Sequence, residues 1–165
     1  MRFAMPPHPP LYSATVPVFR HYLDRVARMV EVAGTAALDH RIADAFPARQ
    51  QFTTAAGFAL RVACPLAGRE VPDLPSALGP RLAVARAVLG AMKPAEFEGA
   101  EARVIAHRAG FADLEQDGAA FLHLYGMPNF LFHVVMGYAA LRAAGVALGK
   151  ADFDGFHDYP PGFAF

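Results

Sequence analysis

The chain has 165 residues, 55% of them hydrophobic and 18% charged, with fifteen basic and fifteen acidic side chains in balance. A chain of this length suits one domain, residues 1–165, that buries roughly 70% of the surface its unfolded form exposes. Zero net charge leaves no long-range field to draw phosphate backbones or acidic lipid, so nucleic acid is not an expected partner.

The start, MRFAMPPHPPLYSATVP, is interrupted by prolines and His8 and does not read as a secretory signal; residues 1–12 form a proline-rich lead-in. The first helix is expected to begin near Ser13 or Thr15, with Pro17 in its first turn and Gly34 at its end. Phe19, Leu23, Val26 and Val30 recur at helical spacing, flanked by Tyr22 and Met29. A second helix is predicted over 48–67, where Phe52, Ala55, Ala56, Ala59, Leu60 and Ala63 line one face with mostly small side chains; Pro65 and Gly68 mark its stop. Its Cys64 is the one cysteine, which rules out an intramolecular disulfide and fits a reducing, cytoplasmic setting.

Ser76 or Asp73 can open a third helix that runs to about Met92 with Leu82, Ala85, Val88 and Leu89 inward. Pro94 and Gly99 bracket a loop, and EARVIAHRAGFADLEQDG then reads as two short strands in a hairpin. The last helical region begins at Asp117 and resumes after a kink or fresh start at Pro128, because proline lacks one backbone donor and crowds the preceding turn. From Ala119 to Leu141 no residue carries a formal charge, and the length suffices for a membrane span. His123, Pro128, Asn129 and His133 would be costly in lipid, so a buried core helix is expected and no membrane partner. An aromatic tail over 146–165, with Phe153, Phe156, Tyr159, Phe163 and Phe165, is too short to fold alone and is expected to dock on its own bundle or on a partner subunit. These elements add up to an all-α four-helix bundle with a short β-hairpin between the third and fourth helices.

PNFLFH at 128–133, Tyr138, LRAAGVALGKADF, TVP at 15–17, RIADAFPARQQ at 41–51 and the hairpin before AAFLH together resemble an uncharacterised bacterial family of the DinB-like (YfiT-like) four-helix-bundle superfamily, over nearly the whole chain. The resemblance implies a usually dimeric bundle whose better-known relatives bind a divalent metal, zinc or nickel, through three histidines: one on the second helix and two four residues apart on the last. This sequence departs from the pattern. Its second helix has no histidine, and Asn129 and Gly137 stand four residues either side of His133. At most His133 keeps a comparable place.

His133 and Asn129 share a helix face at four-residue spacing, and Gln51 is the candidate to complete a polar pocket with them. The plainer reading makes His133 a hydrogen-bonded core histidine and Asn129 a cap of the resumed helix. His123 lies about 80° from the His133 face at ~100° per residue, so the two meet only if Pro128 re-aims one. His21 and His40 with Asp24 and Asp39 form no spacing motif, although the fold could bring them together. Tyr138 has a hydroxyl that wants a partner, in the core or on a ligand. Cys64, with no activating base nearby, reads as structural.

Two functions follow. The preferred one is a homodimeric small-molecule-binding or structural module with a polar cluster at the fourth helix. The alternative is a metal-dependent transferase or hydrolase in which His133 is ligand or general base and Gln51, Asn129, Tyr138 and His123 hold substrate.

Overall fold

The structure, a computed structural model, describes residues 8–163. Four long helices, α1 (Pro10–Ala37), α2 (Ala48–Leu66), α3 (Leu78–Ala91) and α4 (Gly118–Ala143), surround a shared hydrophobic core. An antiparallel hairpin, β1 (Val104–Ala109) with β2 (Ala112–Asp117), joins α3 to α4, and a short helix, α5 (Lys150–Asp154), follows. This is the all-α bundle with one hairpin that the hydrophobic periodicity predicts. The hairpin closes through Gly110 and Phe111, with Gly110 at φ +60°, as the first residue of a two-residue II′-type turn requires.

α1 starts earlier than expected. Pro9 occupies the cap position without a side-chain cap and Pro10 opens the helix, where a missing N–H costs nothing. Thr15 therefore lies inside the helix, and its hydroxyl donates to the Leu11 carbonyl at 2.5 Å instead of capping. Pro17 falls beyond the first turn, so it withholds a donor from the Ser13 carbonyl. Gly34, at φ +70°, ends the regular part, and one more turn carries the chain to Ala37. Phe19, Leu23, Val26 and Met29 face inward and are all but fully buried. α3, by contrast, begins later than either Asp73 or Ser76, at Leu78 with no side-chain cap.

α2 is the central element and packs against α1, α3 and α4. Its Ala55, Ala56, Ala59 and Ala63 are fully buried, and two glycines of α4 let the helices approach closely. A Cβ on Gly126 would stand 2.7 Å from Val62 Cγ2, and one on Gly137 only 2.4 Å from the Phe52 ring. Neither position has room for a side chain.

α4 does not break at Pro128. A π-helical stretch, Phe121–Gly126, lies just before it and continues into regular helix at Met127. The wider turn accommodates the proline ring and its missing N–H where a regular helix would kink. The expectation of a buried core helix holds for one face of α4. Phe130, Val134, Gly137, Ala140 and Leu141 form its inner face, while Leu124, Phe132 and Val135 are 74%, 56% and 45% exposed on the other. Over the described residues α4 is the one helix long and apolar enough to cross a membrane, yet its inner face is packed against α2.

The C-terminal segment returns to the bundle. Phe153 packs between Tyr22 (5.3 Å) and Tyr138 (5.8 Å), and Phe156 stacks on His21 at 5.0 Å. Arg25 of α1 fastens α5 by donating to the carbonyls of Ala151 and Asp152 at 2.9 and 2.8 Å. Phe165 and the first seven residues of the proline-rich start lie outside the described residues.

Candidate functional site

α4 carries His133 to the seam with α2, about two turns beyond the π-helical stretch. There His133 Nδ1 lies 2.7 Å from Oε1 of Gln51, a buried α2 side chain. The other end of the Gln51 amide, Nε2, donates to the Phe46 carbonyl at 3.3 Å. A carbonyl only accepts, so this bond orients the amide and leaves its oxygen toward the imidazole. His133 must then donate from Nδ1, and in the neutral ring Nε2 keeps its lone pair.

That lone pair is available. Among the described residues Nε2 has no hydrogen-bond partner, and it is not sealed from solvent. The ring stacks on Phe58 at 5.5 Å, and Phe58 in turn carries the Arg61 guanidinium 4.1 Å from its centroid. Partial burial, and secondarily the positive charge of Arg61, hold the His133 pKa below the usual imidazole value. Neutral imidazole is the resting form at physiological pH.

Only one other predicted site residue meets His133, and that is Gln51. Asn129 turns away along its own helix and donates from Nδ2 to the Tyr125 carbonyl at 2.8 Å, within the π-helical stretch. It therefore supports the wide turn rather than capping a new helix or joining a pocket. His123 is exposed on the far side of the π-helical stretch. Tyr138 faces Phe153 and Arg142, away from the Gln51 contact. The histidine–aspartate grouping on α1 and the following loop is dispersed: His21 donates to the Asp154 carbonyl, Asp24 pairs with Arg86, and Asp39 pairs with Arg49.

The three-histidine metal site implied by the resemblance does not fit these residues. His133 supplies one imidazole nitrogen, Gln51 supplies an amide already engaged at both ends, Asn129 is bound to Tyr125, and Gly137 abuts the Phe52 ring. No group of three His, Cys, Asp or Glu with metal-binding geometry occurs among the described residues. Cys64 is fully buried, and burial pushes its thiol up to about 11, as a structural thiol requires.

Two features escaped the sequence reading. His107 of β1 packs on Phe121 and Tyr125 at 4.9 and 4.3 Å and bonds Gln116 through Nε2, leaving a buried Nδ1 without a partner. Alternation in the strand gave its position but not the ring stack beneath it. Arg61 was invisible as a site residue, because a charged residue on a helix usually marks the solvated face.

The helical bundle, with its hairpin before the last helix, has the architecture of DinB-like proteins. A DinB family member protein from Shewanella denitrificans has a similar structure: TM-score 0.79 and 27% identity, over 91% of this chain and 94% of that one. Residues 11–154 match the family model described as a domain of unknown function, DUF1993, and the chain belongs to that family. Among curated proteins no match is found.

Proposed function

We propose that this protein is a homodimeric helical-bundle module that binds a small protic molecule at the α2–α4 seam, with His133 Nε2 accepting a hydrogen bond from it. The observation that carries the reading is the Gln51–His133 contact, which pins the imidazole proton on the inner nitrogen and leaves a fixed acceptor on the outer one. Arg61, close enough for its charge to act on the ring, offers a cation for an acceptor group of the same ligand. Phe132 links the site to the dimer: its ring meets His133 edge to face at 5.2 Å and is itself more than half exposed. Association through Phe132, Leu124 and Val135 would cover apolar surface and wall in the open side of His133.

The rival reading, a transferase or hydrolase with His133 as general base, draws on the same open lone pair. A screen of small alcohols, amides and carboxylic acids by NMR on isotope-labelled protein separates these outcomes. Ligands should shift the Phe58, Phe132 and His133 signals and lose their effect in His133→Phe. A screen in which no shift maps to this seam overturns the binding reading, and turnover of an ester or amide abolished by His133→Ala would replace it with the enzymatic one.

A further inference from the structure

We infer that the cleft between α4 and the C-terminal segment is a second binding site, for a carboxylate carried on an aromatic or similarly flat apolar body. The cleft encloses about 710 Å³, within the usual range of ligand pockets. Four rings line it, Tyr138, Phe153, Tyr159 and Phe163, of which Tyr159 and Phe163 stack at 4.9 Å and Tyr138 and Phe153 pack at 5.8 Å. The charged side chains lining it are Arg142 and Lys150, both cationic, and no acidic residue lines it.

Those two cations are what select the ligand. Neither forms an ion pair among the described residues, although the chain as a whole carries equal numbers of acids and bases. Arg142 spends one N–H on the Tyr138 hydroxyl, at 3.4 Å, and its guanidinium lies 5.8 Å from that ring's centroid. The rest of its planar fork is open to a planar two-oxygen acceptor, which a carboxylate supplies. The aromatic walls then account for the apolar remainder, since flat rings stack on such surfaces with gains beyond area alone. The site shares no polar side chain with the Gln51–His133 contact and does not rest on it.

The test uses the full chain and three probes: 1-naphthoate, its neutral counterpart 1-naphthamide, and 1-naphthyl phosphate, titrated by calorimetry and by NMR. Naphthoate should bind with shifts at Tyr138, Lys150 and Phe153. A double variant, Arg142→Gln with Lys150→Gln, should weaken naphthoate by about tenfold or more while changing naphthamide by less than about twofold. Both side chains are exposed, so the fold is undisturbed. The assignment is overturned if naphthoate does not bind at millimolar concentration, if its shifts map elsewhere, or if the double variant affects both probes alike. Tighter binding of the naphthyl phosphate than of naphthoate overturns the carboxylate class.

Discussion

The 2.7 Å contact between His133 Nδ1 and Gln51 Oε1 fixes which imidazole nitrogen carries the proton. Nitrogen-15 NMR of the imidazole should therefore show the Nδ1–H tautomer above pH 7, with Nε2 unprotonated. Gln51→Leu removes the acceptor, and the spectrum should then move toward the Nε2–H form that free histidine favours. An unchanged tautomer in that variant would show that Gln51 does not set it.

The same group gives stability a pH dependence whose sign can be worked out. Burial and Arg61 lower the native pKa of His133 below its unfolded value of about 6.5. Between those two values the unfolded chain binds more protons than the native one, so the His133 contribution is complete above about pH 6.5 and is lost as pH falls toward the native pKa. Urea midpoints taken from pH 7.5 downward should fall in this window, and His133→Gln should flatten that part of the curve. A variant curve parallel to wild type would assign the slope to other groups.

The architecture was legible where hydrophobic spacing is strong: the Phe19, Leu23, Val26 stripe and the alanine face of α2 named their own helices and their inward sides. The first cap was misplaced because the prolines at 9 and 10 start α1 without any side-chain signal, which made Thr15 look like a cap. The continuity of α4 was hidden for a different reason. Proline after glycine suggests a break, and only the backbone shows that a π-helical turn absorbs it and uses Asn129 to hold the Tyr125 carbonyl. Of the site, the Gln51–His133 pair was readable as two polar residues on apolar helix faces, whereas Asn129 and Tyr138 shared only the sequence neighbourhood of His133.

Gly137→Ala tests the close approach of α2 and α4. Its Cβ would fall 2.4 Å from Cε1 of Phe52, a fully buried ring. Overpacking of this kind costs about 1–3 kcal/mol. A urea titration should show a loss at the upper end of that range, while Gly79→Ala, where a Cβ meets nothing within 4 Å, should lie within about 0.5 kcal/mol of wild type. Equal effects at the two positions would contradict the packing described.

Cys64 should be inert in the native state. It has no exposed surface, and its thiol is held at about 11, so almost none is thiolate at pH 8. A disulfide reagent should react with it only in denaturant, at a rate set by unfolding. Fast stoichiometric labelling of the folded protein would mean that the segment around the α2 C-terminus opens readily.

The exposed face of α4 sets the last prediction. Leu124, Phe132 and Val135 lie on the side of α4 away from its core-facing residues, in a helix whose sequence from Ala119 to Leu141 contains no charged residue. Apolar surface at this density normally meets a partner. If that partner is a second copy, light scattering should give twice the monomer mass of 17.7 kDa at micromolar concentration. Phe132→Glu places a charge at the centre of the face without touching the core, so it should yield a folded monomer with the wild-type helical signal. It should also expose His133 more fully and raise its pKa, because the carboxylate adjoins the ring and favours the charged imidazole. A wild-type monomer refutes the dimer; a Phe132→Glu dimer moves the interface to another face.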